Sequence, residues 1–143
     1  MAIEYKTGDI FTSECCALVN PVNTVGIMGK GLAKQFKEKY PHNFNVYSLA
    51  CRASEIQMGE MFVVCDMKTI INFPTKDHWR NGAKIDWIKE GLKDLKYTIK
   101  SLNIPSVALP KIGCGLGGLD WRDVKPLIEA ELGEIDCKIE VYE

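Results

Sequence analysis

The sequence has no excess of charge of either sign. Its 18 Lys and Arg residues against 19 Asp and Glu residues give a formal net charge of −1. A protein that coats nucleic acid depends on a strong positive field over its whole surface, so this class is excluded. Any attraction for nucleic acid must come from a local cluster of positive side chains.

Long apolar runs are also missing. None approaches the roughly 18 residues that a membrane-spanning helix needs. Charged residues stand at positions 4 and 6, where a signal peptide would be hydrophobic. We therefore expect a cytoplasmic protein that makes no membrane contact.

Metal-ligating patterns are scarce. The six cysteines form no C-x-x-C motif and only two histidines accompany them, which argues against a structural zinc site. Cys15 and Cys16 are adjacent and therefore poorly placed to form a disulfide with each other. We expect no metal, and reduced thiols that are mostly buried as small hydrophobic side chains.

The size and composition suit one globular domain. The chain has 143 residues, of which 46% are hydrophobic and 26% charged. No internal repeat, low-complexity tract or Pro/Gly/Ser linker divides it. We predict a single domain over residues 1–143 and expect it to be a monomer.

The spacing of apolar residues predicts strands that alternate with helices. Apolar residues at steps of three and four predict an amphipathic helix over 85–102, and two apolar runs at 61–65 and 69–73 predict an antiparallel hairpin. Further strands are predicted at 3–6, 17–21, 106–109 and 137–142, and further helices at 32–40, 43–52 and 121–132. This alternation predicts an α/β fold, a three-layer α/β/α sandwich with a mixed, largely parallel central sheet.

One residue constrains the last predicted helix. Pro126 lacks a backbone N–H and is tolerable only near the first turn of that helix.

Two glycine-rich stretches lie where ligands bind in such sheets. Residues 26–31 precede a helix, and residues 112–118 lie between a strand and a helix. Glycines allow successive backbone N–H groups to converge on an anion, helped by the dipole of the following helix. Each stretch alone is also compatible with a tight turn that binds nothing, but two of them in one small domain favour a diphosphate held between them.

Two nucleotide-binding alternatives fit less well. The second stretch formally matches the G-x-G-x-x-G of a Rossmann site, but only one helix and one strand follow it, where further βα units would be needed. The G-x-x-x-x-G-K-[ST] motif is absent from the sequence, which disfavours nucleoside triphosphate hydrolysis.

Several motifs together resemble the macrodomain, an ADP-ribose-binding module. They are YKTGDI at 5–10, VNPVN at 19–23, GKGLA at 29–33 and LPKIGCGLGGLDW at 109–121. The segment NFPTKDHWR at 72–80 resembles the branch of DNA ADP-ribosyl glycohydrolases, the antitoxins of DarT–DarG toxin–antitoxin pairs, and more loosely human terminal ADP-ribose glycohydrolase. The resemblance implies the macrodomain fold and the removal of ADP-ribose from DNA, with thymine as the base. A base buried in a duplex would be out of reach, so we expect a single-stranded or flipped base. It implies no cofactor, with ADP-ribose as ligand and product and a DarT-like toxin as partner.

The resemblance also implies which residues bind ADP-ribose. Asp9 and Ile10 match the adenine contacts, Asn23 matches a contact to the distal ribose, and Tyr142 is expected to flank the adenine. The residues that match the loops around the diphosphate are Gly29, Lys30, Gly31, Gly113, Cys114, Gly115, Leu116, Gly117 and Gly118.

Lys76 matches the catalytic lysine of this branch. Cleavage between ribose C1 and a base nitrogen places positive charge on the sugar and negative charge on the departing base. A lysine can stabilise or protonate the leaving group, or, when unprotonated, attack C1 directly. The sequence leaves these roles open, as it leaves open whether Asp77 points towards the lysine.

The expected DNA contacts follow the lysine. His78, Trp79 and Arg80 are expected to line the place where the modified base or its backbone sits. In the human relative an acidic residue of the second loop acts with the lysine on carboxylate-linked ADP-ribose, and Gly117 stands at that place here. This departure favours the DNA substrate. The alternatives are a non-catalytic ADP-ribose reader and a glycohydrolase that acts on ADP-ribosylated protein carboxylates.

Overall fold

A six-stranded sheet forms the centre of the computed structural model, which describes residues 2–143. Its strands are β1 (Ile3–Lys6), β2 (Ala17–Asn23), β3 (Phe62–Cys65), β4 (Thr69–Lys76), β5 (Ser106–Pro110) and β6 (Lys138–Tyr142). The α-helices are α1 (Gly31–Lys39), α2 (Pro41–Arg52), α3 (Ile85–Ser101) and α4 (Trp121–Leu132), and short 3-10 turns span Ile10–Thr12 and Gly115–Gly117.

The strands are ordered β1-β6-β5-β2-β4-β3. Every neighbouring pair is parallel except β3 and β4, which form the predicted antiparallel hairpin. Because β2, β4 and β5 run parallel, their carboxyl ends meet at one edge of the sheet, where ligands bind in folds of this class. The predicted fold class is confirmed.

Helices cover both faces of the sheet. Side chains alternate along β2, so that Ala17 and Val19 pack in the core beneath α3 and α4, whereas Leu18 and Val22 pack beneath α1 and α2. All four are buried, and burying a large aliphatic side chain contributes about 1.5–3 kcal/mol. The predicted three layers follow from this alternation.

Helix α3 packs unusually close to β4. A Cβ atom at Gly91 would lie 2.4 Å from the Phe73 ring. The missing side chain lets the helix approach the strand that ends at the candidate site.

Pro126 is tolerated beyond the first turn of its helix, contrary to the expectation. It is the sixth residue of α4, in the second turn, and it cannot donate a hydrogen bond to the Arg122 carbonyl. Both residues are exposed, so water can satisfy that carbonyl and the helix continues.

The cysteines are less buried than expected. All six are free thiols, but only Cys15 and Cys137 are buried, and Cys16 and Cys65 are exposed. The exposed pair lies just before β2 and at the end of β3, in positions that face solvent.

Within the described part of the chain, no helix is both long enough and apolar enough to cross a membrane.

Candidate functional site

A cavity of about 690 Å³ opens at the carboxyl ends of β2, β4 and β5. Both glycine-rich loops and the segment after β4 contribute to its wall. The predicted site residues that line it are Asn23, Gly29, Lys30, Gly31, Lys76, Trp79, Arg80, Gly113, Cys114, Gly115, Leu116 and Gly117. The fold therefore brings together three segments that are far apart in the sequence.

A second cavity of about 360 Å³ lies beside the first. Three residues expected at the adenine line it, namely Asp9, Ile10 and Tyr142. Leu32 and Pro110 line both cavities, so the two spaces adjoin. This arrangement matches an elongated ligand with one end in each space.

Two predicted residues, His78 and Gly118, line neither of these two cavities. The Nδ1 atom of His78 accepts a hydrogen bond from the Arg80 backbone N–H at 3.1 Å. Gly118 ends the 3-10 turn of the second loop with a φ of +82°, a conformation that glycine adopts without strain.

The two glycine-rich loops touch across the cavity. Gly31 has a φ of +59°, and a Cβ atom there would lie 3.2 Å from Leu116 Cδ1. In the second loop, Gly113 has a φ of +76°, and a Cβ atom would lie 2.9 Å from Leu119 and 3.0 Å from Ile88. A side chain at either glycine would therefore crowd the neighbouring structure.

Lys76 is the last residue of β4 and pairs in register with Asn23 of β2. It is half-buried in the cavity wall. Among residues 2–143, no carboxylate lies within ion-pair distance of its Nζ atom. The amine is thus available to a group in the cavity.

The Asp77 carboxylate is directed to a different partner. It is exposed and accepts a hydrogen bond from Asn81 Nδ2 at 3.0 Å, and this bond lowers the pKa of Asp77. Its backbone carbonyl accepts a bond from the Thr24 hydroxyl at 2.7 Å, which ties the turn after Lys76 to the end of β2.

The segment after Lys76 presents an aromatic surface at the cavity mouth. The Trp79 side chain is 40% exposed, with the Arg80 guanidinium 4.7 Å above its ring centroid and the His78 ring centroid 5.1 Å away. Ala83 N–H donates to the Gly117 carbonyl at 2.9 Å, which fixes this segment against the second glycine-rich loop. An indole with a cation above it suits base stacking together with phosphate contact.

A buried carboxylate supports the smaller cavity. Glu140 accepts hydrogen bonds from Ser13 at 2.7 Å and from the Tyr142 hydroxyl at 3.1 Å, and pairs with Lys6 at 3.2 Å. Burial alone would raise the pKa of Glu140, but the bonds from Ser13 and Lys6 outweigh burial and lower that pKa to about 2. Its only signal in the sequence is a charged residue between the apolar residues Ile139 and Val141 of the closing strand.

Asp9 makes a local contact at the same cavity. Its Oδ1 atom accepts the Phe11 N–H at 2.9 Å and caps the first 3-10 turn. Asp9 is exposed and lines the smaller cavity from that turn.

Sequence reasoning missed several wall residues. Leu32 and Gln35 stand three apart on α1, a spacing that places them on one helix face, and both line the smaller cavity. The missed residues of the larger cavity include Ala33 and Thr75. Their side chains carry no chemical signal in the sequence.

The chain matches known proteins along most of its length. The sequence model of the Macro domain family matches residues 19–128. The chain is 49% identical over 145 residues to a DNA ADP-ribosyl glycohydrolase of Mycobacterium tuberculosis, covering 96% of this chain and 41% of the relative. It is 35% identical to a DNA ADP-ribosyl transferase-DNA ADP-ribosyl glycohydrolase fusion protein of Thermosipho africanus, covering 94% of this chain and 40% of that protein.

Solved structures agree with the sequence matches. The macrodomain of Mycobacterium tuberculosis DarG superposes with a TM-score of 0.96 at 46% identity, covering 98% of this chain and 96% of that one. Thermosipho africanus DarTG in complex with ADP-ribose superposes with a TM-score of 0.93 at 34% identity, covering 98% of this chain and 41% of that one. The chain spans about two-fifths of the length of the curated relatives it matches.

Proposed function

Since this chain belongs to the Macro domain family, we propose that it binds ADP-ribose and hydrolyses it from ADP-ribosylated DNA. The observation that carries the proposal is the position of Lys76, which lines the same cavity as both glycine-rich loops. We propose that residues 1–143 act as one domain in this reaction.

The ligand is proposed to occupy both cavities. The diphosphate lies between residues 29–31 and 113–118, where backbone N–H groups and glycines allow close approach. The adenine lies in the smaller cavity beside Asp9 and Ile10, with Tyr142 next to it. Support comes from the adjoining cavities and from the Thermosipho africanus DarTG structure, which contains ADP-ribose.

In the proposed reaction Lys76 acts at the ribose carbon that carries the base. Hydrolysis breaks the bond from C1 to the base nitrogen, an oxygen of water becomes bonded to C1, and a proton ends on the base nitrogen. As an ammonium, Lys76 stabilises the departing base or donates that proton, and as an amine it attacks C1 before water does. Both routes require Nζ to lie beside the bond that is broken, next to the base for the first role and next to C1 for the second, and neither requires a metal.

The proposed substrate is a modified base in single-stranded DNA, with thymine as the base. Trp79 and Arg80 provide a stacking surface and a positive charge at the cavity mouth, and His78 supports them. A base inside a duplex cannot enter such a cavity without being flipped out. Gly117 supplies no carboxylate of the kind expected for carboxylate-linked ADP-ribose.

The proposed partner is a DarT-like ADP-ribosyltransferase. The Thermosipho africanus relative, named as a fusion of a transferase and a glycohydrolase, supports this pairing. We further propose that the protein acts as a monomer in the cytoplasm, where the reducing environment suits its free thiols.

A parallel release assay tests the substrate. The purified protein is incubated with ADP-ribosylated single-stranded oligonucleotide and, separately, with glutamate-linked ADP-ribosylated protein. We expect free ADP-ribose from the oligonucleotide and little from the protein. Release from the protein alone would instead identify a carboxylate glycohydrolase, and tight ADP-ribose binding without release from either substrate would identify a reader.

A further inference from the structure

A buried tyrosine lies behind the first glycine-rich loop. Tyr47 of α2 is fully buried, and its hydroxyl lies 2.7 Å from the Asn23 carbonyl oxygen and 2.9 Å from Asn23 Oδ1. A buried hydroxyl needs a hydrogen-bond partner. Asn23 supplies two acceptors for the single proton of the phenol.

The Asn23 side chain determines the conformation of the loop that follows it. Its Oδ1 atom accepts the backbone N–H groups of Val25 at 3.1 Å, Gly26 at 3.1 Å and Ile27 at 3.3 Å, and its Nδ2 atom donates to the Ile27 carbonyl at 2.8 Å. Three donors converge on one atom, which must therefore be the amide oxygen. One side chain thus holds residues 23–27 in a single conformation.

This loop forms part of the cavity wall. Ile27 lines the larger cavity together with Asn23, and Gly29 and Lys30 follow directly. The shape of the wall where we place the diphosphate therefore depends on Asn23, whose Oδ1 atom also lies within hydrogen-bond distance of the Tyr47 hydroxyl.

We propose that Tyr47 is a positioning residue of the ADP-ribose site, because its hydroxyl orients the Asn23 carboxamide that shapes the first glycine-rich loop. The identity of the ligand rests on the proposed function. The hydrogen bonds among Tyr47, Asn23 and the loop are observed independently of it. Asn23 then has mainly a loop-holding role. Its Oδ1 atom is occupied, and one hydrogen on Nδ2 remains for a ribose hydroxyl.

The protonation state of Tyr47 suits this role. Burial raises the pKa of Tyr47 far above neutral pH. The phenol therefore keeps the proton that it donates to Asn23.

The substitution Tyr47→Phe tests the proposal, because it removes the hydroxyl and keeps the buried ring. We expect calorimetry to show an ADP-ribose affinity about tenfold weaker, the loss typical of an abolished buried hydrogen bond. We also expect faster hydrogen exchange at the backbone amides of Val25, Gly26 and Ile27. Tyr40→Phe is the matched control, because Tyr40 is buried and its hydroxyl makes no hydrogen bond within residues 2–143. Removing that hydroxyl should change neither the ADP-ribose affinity nor the hydrogen exchange.

A double-mutant cycle tests whether Tyr47 acts through Asn23. In an Asn23→Ala background, we expect Tyr47→Phe to change ADP-ribose affinity by less than about twofold, because the carboxamide through which the hydroxyl acts is absent. A full tenfold effect in that background would overturn the proposal. Unchanged affinity and exchange in Tyr47→Phe alone, with a lowered melting temperature, would also overturn it and leave a purely structural role.

Failure of the proposed function has a different signature. If the unsubstituted protein binds no ADP-ribose, the ligand assignment is wrong. The exchange rates at Val25, Gly26 and Ile27 then decide the loop-holding role on their own: faster exchange in Tyr47→Phe supports it and unchanged exchange refutes it.

Discussion

Asn23 and Lys76 are register partners across β2 and β4, directly after an irregularity between Val22 and Asn23. Such a bulge re-aims the side chains that follow it. Here it brings the residue that holds the first glycine-rich loop beside the proposed catalytic residue, and both line one cavity. The shape of the loop and the position of the lysine are therefore set at the same place in the sheet.

The aromatic surface at the cavity mouth leads to a prediction about DNA. We expect Trp79→Ala to raise the KM for an ADP-ribosylated oligonucleotide about tenfold, because stacking of one base on an aromatic ring contributes about 1–3 kcal/mol. The affinity for free ADP-ribose, measured by calorimetry, should change by less than about twofold. Trp87→Ala is the control, since Trp87 also carries a cation above its ring, Lys84 at 4.7 Å, but is not among the cavity-lining residues. Equal KM effects of the two substitutions would contradict a specific role of Trp79.

The contact between the two loops leads to a prediction about Gly31. We expect Gly31→Ala to weaken ADP-ribose binding about tenfold, since the residue has a φ of +59° and a new Cβ atom would lie 3.2 Å from Leu116. Gly59→Ala is a close control. Gly59 has a φ of +82°, and its Cβ atom would lie 3.2 Å from Glu90, away from the cavity. Both variants should lose stability in thermal unfolding, but only Gly31→Ala should lose ADP-ribose affinity. Equal losses of affinity in the two variants would refute a role of the first glycine-rich loop in binding.

The buried carboxylate behind the smaller cavity makes stability depend on pH. A carboxyl group whose pKa is lower in the folded state stabilises the fold above its unfolded pKa and loses that contribution as pH falls through the folded pKa. For Glu140 this window runs from about 4.5 down to about 2. We expect Glu140→Gln to lower the free energy of unfolding at pH 7 by roughly 3 kcal/mol or less, with the difference from the unsubstituted protein shrinking as the pH approaches 2.

Denaturant titrations at several pH values measure this effect. Glu134→Gln is the control, because Glu134 is exposed and lies outside the ion pairs of the described residues. A pH-independent difference for Glu140→Gln would show that the lost contribution is packing and not ionisation.

Local patterns were sufficient to predict most of the fold. Helix α3 was predicted because its apolar residues repeat at helical spacing, and the β3–β4 hairpin because two apolar runs flank a short polar turn. Helix α4 has the predicted bounds, but Pro126 lies in its second turn, because the carbonyl that proline leaves unpaired is exposed and water can bond to it. Cys16 and Cys65 are exposed because they lie at strand ends, and burial depends on position in the fold and not on residue type alone.

Site residues could be predicted from the sequence only where they belong to a recognisable local motif. The glycine-rich loops and Lys76 stand in recognisable motifs, and the fold brings them to one cavity. The part played by Tyr47 was invisible, because it depends on α2 packing behind a loop 24 residues earlier in the chain. Glu140 was missed for the same reason, since its partners Ser13 and Lys6 lie at the opposite end of the chain.

The direct test of the proposed mechanism measures the release of ADP-ribose from an ADP-ribosylated single-stranded oligonucleotide by the Lys76→Ala variant. The matched control is Lys89→Ala, which replaces an exposed lysine of α3. We expect Lys76→Ala to lower the release rate at least about 100-fold, the scale of a lost electrostatic or acid–base group, while calorimetry shows nearly unchanged ADP-ribose affinity. Lys89→Ala should retain the full rate. Release by Lys76→Ala at the rate of the unsubstituted protein would contradict the central claim that this lysine faces the bond that is broken.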